Sequence, residues 1–242
     1  MKRIYTLAFL LSLLISTTSY AQKGLSLGVS GAAISTSIIN QNTWGNGHEY
    51  DYESTFSSFY GFDIGYNFTD NVGIYTGYSF FNLGQKYSDN YDGVNWKREL
   101  TFKYNVIPIM FKYTSSQSRV NFLGGIGILY AMMNSADQTW TYDGEPYEET
   151  GITLVSKKPF DLGASDVTDR FAKNDIILNL EIGARITLID NLFLDAMLNF
   201  SYGLTDINEA DYQFIDKDGN YNPSHNIFGG VKVGVLYVLF GD

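Results

Sequence analysis

The chain has 242 residues, of which 45% are hydrophobic, 16% aromatic and 17% charged, and it contains no cysteine. The lack of cysteine excludes a disulfide scaffold, a thiol nucleophile and cysteine-ligated metal sites. The aromatic and apolar content argues against intrinsic disorder. The 26 acidic and 16 basic residues give a net charge of -10, which argues against nucleic acid as a partner.

Residues 1–21 have the parts of a secretory signal peptide. Lys2 and Arg3 precede an apolar run that ends at Ile15, and Ser19 and Ala21 have the spacing of a cleavage site. The run is shorter than the ~20 residues that a membrane-spanning helix needs, although an N-terminal anchor is the alternative. We therefore expect export to the periplasm, the medium or the outer membrane, with residues 22–242 as the mature domain.

The mature chain alternates between apolar and small or polar residues, a pattern typical of strands with two different faces. In residues 56–68, for example, Phe62 and Ile64 share one parity, whereas Gly61 and Asp63 share the other. Eight strands are predicted, over residues 24–39, 56–68, 72–86, 98–113, 119–133, 176–188, 192–204 and 225–240.

The connections between these strands differ in length. Three are short polar turns, at residues 69–71, 114–118 and 189–191, and four are long, at residues 40–54, 87–97, 134–172 and 206–224. Short turns at one end and long loops at the other predict an all-β fold, an eight-stranded antiparallel up-and-down transmembrane barrel of the outer membrane.

Two local irregularities are expected within this pattern. The third long connection is expected to contain a hairpin around Tyr142-Asp143-Gly144-Glu145. Pro108 falls within a strand, where it removes a hydrogen-bond donor, and therefore predicts a local bulge.

Alternation by itself does not show which face is inside, because a soluble lipocalin-like barrel would have its apolar face inside. The charges on the polar parity are three acids and three bases, namely Asp63, Lys103, Glu181, Arg185, Asp195 and Lys232. Equal numbers suit a closed interior, where unpaired charge is costly. Together with Asn105, Asn121, Asn179 and Asn199, they predict a polar plug that fills the barrel. A narrow water-conducting pore is the alternative.

The last strand matches the spacing of the C-terminal signal that the barrel-assembly machinery recognises, at Lys232, Gly234, Tyr237 and Leu239. The segment from Tyr104 to Tyr113, with Pro108 and Lys112, resembles a stretch of the PorT-like outer-membrane β-barrel family of Bacteroidetes. Residues 63–71 and 122–127 are similar to other parts of that family. The resemblance implies an outer-membrane barrel and, because the family's namesake takes part in protein secretion, a secretion or transport assembly as an alternative function.

No catalytic, cofactor or metal site is predicted. The only histidines, His48 and His225, both fall on the long-loop side, but no spacing selects a nucleophile, a base and an orienting acid. An outer-membrane enzyme is therefore kept only as a further alternative. Residues 216–222 alternate oxygen donors, but Gly219 is the fourth residue of this segment, whereas an EF-hand loop requires glycine at the sixth.

The four long connections together contain 18 acidic and 5 basic residues. We therefore expect a non-enzymatic protein that is structural or binds at the cell surface through acidic extracellular loops. The expected partners are outer-membrane lipid and lipopolysaccharide, the barrel-assembly machinery during biogenesis, and a surface protein or glycan.

Overall fold

The computed structural model describes residues 23–40, 50–91, 93–115, 118–146, 165–213 and 220–240. The predicted signal peptide lies outside these residues and stays a prediction. Two short 3-10 helices occur at Thr168–Arg170 and Ala210–Tyr212, and no helix among the described residues is long and apolar enough to cross a membrane. The strands are β1 (Gly24–Ile39), β2 (Asp51–Glu53), β3 (Thr55–Asn67), β4 (Val72–Tyr91), β5 (Val94–Thr114), β6 (Val120–Tyr142), β7 (Glu145–Pro146), β8 (Asn174–Ile189), β9 (Leu192–Gly203) and β10 (His225–Phe240).

Eight of these strands close into an antiparallel barrel. Each long strand pairs with the next one along the chain, and β10 pairs back with β1 from Leu25 opposite Phe240 to Ile39 opposite His225. The short strands β2 and β7 only extend β4 and β6 beyond the barrel wall. Closure leaves no free edge in the wall, so backbone polar groups pair within the sheet, as a hydrocarbon environment requires. The predicted eight-stranded up-and-down topology is confirmed.

The apolar parity faces outward. On β3, Phe56 is 78% exposed and Phe62 is 61% exposed, whereas Gly61 and Gly65 on the other parity are buried. An outer surface of exposed apolar and aromatic side chains is stable in contact with lipid but not in contact with water. The lipocalin-like alternative, with the apolar face inside, is therefore wrong.

The short turns at residues 69–71 and 189–191 are found where the sequence predicts them, whereas part of the turn at residues 114–118 lies outside the described residues. Thr69 Oγ1 accepts hydrogen bonds from the backbone N–H groups of Asn71 and Val72, and Asn191 adopts a left-handed conformation with φ of 65°. The predicted hairpin is also confirmed, because β6 and β7 pair around Asp143 and Gly144, which both have positive φ. Positive φ at both positions is the requirement of a type I′ turn.

Residues 87–97 do not form the long loop that the sequence predicts. β4 and β5 pair until Tyr91 lies opposite Val94, and β6 continues alongside them to Tyr142. Outward-facing residues on this extension are polar, as in the ion pair between Lys86 and Glu99. Ladder hydrogen bonds form in water as well as in lipid, so the strands continue where the lipid-facing pattern stops. The three strands thus form a wall that projects beyond the apolar band.

Pro108 does not cause the predicted bulge. The pairing of β4 with β5 keeps one register on either side of it, from Thr76 opposite Ile109 to Ser79 opposite Val106. Proline removes a single ladder hydrogen bond here without inserting a residue. The register shift lies instead between Lys103 and Tyr104 of β5. These neighbours pair with Ser135 and Met133, so β6 is the strand that contains the additional residue.

The interior is filled by apolar and polar side chains together. Towards the long-loop end, Phe59 and Phe81 stack with their centroids 4.1 Å apart, and Phe102 contacts Phe171 at 4.6 Å. Towards the short-turn end, the inside contains Phe193, Leu236 and Val238 together with buried polar side chains such as Asn67 and Asn121. The inward-facing charged residues of the predicted plug lie between these two regions, in what we call the polar layer.

Candidate functional site

The polar layer contains two groups of buried ion pairs. Glu181 lies between two lysines, with Lys112 Nζ 2.7 Å from Oε2 and Lys232 Nζ 2.9 Å from Oε1. Arg185 donates two hydrogen bonds of 2.7 Å to the two carboxylate oxygens of Asp195. All five side chains are buried. We call these residues the lumenal ion cluster.

Strand register brings these charges together. Arg185 and Asp195 are directly opposite each other on β8 and β9, and Gly125 of β6 pairs with Lys112 on one side and Glu181 on the other. A Cβ at Gly125 would lie 3.3 Å from Lys112 Cγ. The glycine leaves the space across which the lysine reaches the glutamate.

Tyr75 joins the two groups of the lumenal ion cluster. Its hydroxyl accepts a hydrogen bond of 3.2 Å from Arg185 and donates one of 2.9 Å to Asn67. Its ring centroid is 5.1 Å from Lys112 Nζ, within cation–π range. The ring lies against Gly65, where a Cβ would come within 2.3 Å of it. Tyr75 was not among the predicted plug residues.

Five of the six charges predicted for the interior face it: Asp63, Glu181, Arg185, Asp195 and Lys232. Lys103 does not. Its side chain is 54% exposed and lies 3.8 Å from Asp137 on the outer face of the projecting wall. Lys112 takes its place beside Glu181, so this group of charges still has three acids and three bases.

The error at Lys103 has a physical cause. Next to Lys103 the inward residues of β5, Leu100 and Phe102, are apolar, so the polar parity there is the outer one. Asn105 shares that outward parity, whereas Asn121, Asn179 and Asn199 are buried inside. The lower part of β5 carries the correct signal, because Ile109, Phe111 and Tyr113 are exposed on one parity and Lys112 is on the other. The inward-facing parity of a strand that extends beyond the membrane therefore has to be assigned separately for its membrane-spanning part and for its projecting part.

The four residues of the predicted assembly signal divide between the two faces of β10. Lys232 and Gly234 face the interior, whereas Tyr237 and Leu239 are exposed on the outer surface. Recognition by the barrel-assembly machinery stays a prediction.

At the long-loop end, residues 165–173 and 204–213 interlock, and we call these two segments the cap. Phe171 bridges to Asn208, the Glu209 N–H donates to the carbonyl of Arg170 at 3.0 Å, and Tyr212 Oη donates to Asp169 at 3.1 Å. The apolar residues beneath, Val167, Phe171 and Ile207, are fully buried. The cap packs its apolar residues onto the interior of the barrel at this end.

One carboxylate organises the second cap segment. Asp206 accepts hydrogen bonds from the backbone N–H groups of Asn208 at 3.1 Å and Ser224 at 3.0 Å, and from the side chains of Gln213 and Tyr221. Burial and the neighbouring Asp206 carboxylate raise the pKa of the Tyr221 hydroxyl, which therefore stays protonated and donates. The hydrogen bonds hold the segment in one conformation.

The outer surface of the cap is acidic. Asp166, Asp169 and Glu209 are exposed. Asp166 accepts hydrogen bonds from the backbone N–H of Thr168 at 3.0 Å and from its hydroxyl at 2.7 Å, and these bonds lower the pKa of the carboxyl below its usual value. The cap therefore presents fixed negative charge at neutral pH.

The candidates for catalysis and metal binding are not brought together by the described structure. His48 lies outside the described residues, as do residues 214–219, which include most of the candidate calcium loop. His225 stacks on Tyr202, and its Nδ1 lies 3.1 Å from the carbonyl oxygen of Thr205. Within the described ranges, no three or more histidine or acidic side chains are grouped so as to hold a metal ion.

The chain matches the model of a protein family described as outer membrane protein beta-barrel domain, over residues 7–235. No curated protein matches it. Among solved structures, it is 15% identical to Neisserial surface protein A, covering 90% of this chain and 98% of that one, with a TM-score of 0.48. It is 13% identical to OprG from Pseudomonas aeruginosa, covering 91% and 99%, with a TM-score of 0.47. It is 10% identical to Ail, the attachment invasion locus protein of Yersinia pestis, covering 89% and 100%, with a TM-score of 0.35.

Proposed function

Since this chain belongs to the outer membrane protein beta-barrel domain family and resides in the bacterial outer membrane, we propose that it is a non-enzymatic surface-binding protein. The cap is its binding surface, and the preferred partner is a protein segment rich in lysine and arginine. The observation that carries this proposal is the rigid, acidic outer surface of the cap above a filled barrel.

The construction of the cap supports a binding role. Its two segments contain five acidic and two basic residues, and one of the basic residues, Arg170, is buried. The interlocking hydrogen bonds of Asp206 and Tyr212 order this surface before any partner arrives. A preordered surface loses less conformational entropy on binding, and complementary charge accelerates association.

The filled interior argues against a pore or an enzyme as the primary function. The apolar layer around Phe59 and Phe81 separates the lumenal ion cluster from the cap. His225 stacks on Tyr202, and its Nδ1 lies against the carbonyl oxygen of Thr205. These features favour the outer surface as the functional part of the molecule.

The test compares two variants of the full chain in lipid vesicles. The first neutralises the cap with Asp166→Asn, Asp169→Asn and Glu209→Gln, and the control neutralises Asp70 and Asp190 in the exposed turns at the opposite end. The probe is a fluorescent oligolysine peptide added on the cap side. We expect several-fold weaker binding for the cap variant, little change for the control, and weakening as salt is raised. Equal binding by both variants would refute the proposal.

A role in a protein secretion or transport assembly is the second candidate, and it rests on the resemblance of residues 104–113 to the PorT-like family. In the structure this segment belongs to β5 and carries both Pro108 and the lumenal Lys112. Copurification of the full chain with other envelope proteins from its native membrane would support this role. Recovery of the chain alone after mild crosslinking would argue against it.

A further inference from the structure

A small cavity lies inside the barrel, beside the lumenal ion cluster. Its volume is about 20 Å³, which exceeds the roughly 10–15 Å³ that one water molecule needs. A second cavity of about 10 Å³ lies nearby. The residues that line both cavities, and so separate them, are Asp63, Tyr75, Lys112 and Lys232.

Two hydrogen-bond acceptors line the larger cavity without a donor from the described part of the chain. Asn199 is 1% exposed, and its Oδ1 accepts no hydrogen bond, although its Nδ2 donates to Asn179. Asp63 is partly buried and makes no hydrogen bond or ion pair among the described residues, whereas the nearby Glu181 holds two lysines. A buried acceptor without a donor is costly, so Asn199 Oδ1 requires one, and the partly buried Asp63 carboxylate can accept from the same donor molecule.

The charge balance of this layer decides what kind of molecule can supply that donor. The layer contains three carboxylates and three cationic side chains, so it is neutral without any added ion. An additional cation or anion would leave the layer with an uncompensated buried charge, which is costly. Volume and charge together select a neutral molecule of the size of water. The six side chains are Asp63, Glu181, Asp195, Lys112, Arg185 and Lys232.

We infer that the larger cavity is a structural water site of the barrel interior. The water donates to Asn199 Oδ1 and to the Asp63 carboxylate, and it accepts from the ammonium group of Lys112 or Lys232. Each ammonium has three protons, and the contact with Glu181 uses at most one proton of each lysine, so protons remain for this contact. The water links Asp63 to the lumenal ion cluster and completes the polar layer.

A crystal structure of the full chain in detergent, at a resolution that shows ordered water, tests the inference directly. We expect a water peak about 2.7–3.2 Å from both Asn199 Oδ1 and an Asp63 oxygen. A direct ion pair between Asp63 and either lysine, or a cavity without a water peak, would overturn it.

Magnetisation transfer from water to the Asn199 side-chain amide is an independent readout in solution. Ser79 lines the cavity, so Ser79→Leu fills it and removes none of the proposed partners of the water. We expect the cross peak to be lost in this variant and kept in Ser58→Leu, which makes the same change on the outer face of β3. A cross peak that survives Ser79→Leu, or is missing in the unmodified chain, would contradict the inference. If Ser79→Leu does not fold, the measurement on the unmodified chain still decides.

Discussion

The contribution of the lumenal ion cluster to stability is tested by replacing Glu181, which holds two lysines. At an effective dielectric constant of about 20, two unit charges 2.7 Å apart attract each other by roughly 6 kcal/mol, much of which is offset by desolvation. Glu181→Gln leaves two buried ammonium groups without their carboxylate. Breaking a buried pair in this way costs about 3–5 kcal/mol. We therefore expect the variant to lose that much of its free energy of unfolding.

The assay is urea unfolding in lipid vesicles, in which the folded fraction is read from gel mobility without boiling. The matched control is Glu99→Gln, which breaks the exposed pair with Lys86 and is expected to cost about 1 kcal/mol or less. Lys112→Met and the double variant complete a mutant cycle, and we expect the double variant to cost about 1–3 kcal/mol less than the sum of the single variants. A Glu181→Gln variant as stable as the control, or strictly additive costs, would refute the reasoning.

Three further predictions follow from the structure. Gly65→Val drives a side chain into the ring of Tyr75 and should cost about 1–3 kcal/mol in the same unfolding assay; an unchanged midpoint would contradict the close contact. Because its pKa is lowered, Asp166 is ionised at neutral pH and accepts the hydrogen bonds from Thr168 that order the cap; these bonds are lost as the pH falls below about 4 and through the folded-state pKa. The chemical shift of the Thr168 amide should report this loss, and the pH dependence of that shift should be absent in Asp166→Asn. Lys103→Gln should change stability by about 1 kcal/mol or less, and a large loss would show that this lysine is buried after all.

The sequence alone determined the architecture of the barrel. In residues 56–68 the alternation of residues such as Phe62 and Asp63 has the period of a strand, and a closed sheet of eight such strands is the arrangement that places every apolar face in lipid. The short turns were recognisable because residues such as Thr69 and Asn191 suit tight reversals of the chain. These features depend on near neighbours in the chain, which the sequence displays directly.

Tertiary structure decided which side chains meet. The inner face of β5 changes from apolar at Phe102 to charged at Lys112, and a rule that equates polar with inside therefore selected Lys103 instead. Residues 87–97 form paired strands because ladder hydrogen bonds hold β4 to β5 beyond the apolar band. The contact between Glu181 and its two lysines depends on the register of five strands and on closure of the barrel. Register is set by the whole ring, so no local pattern specifies it.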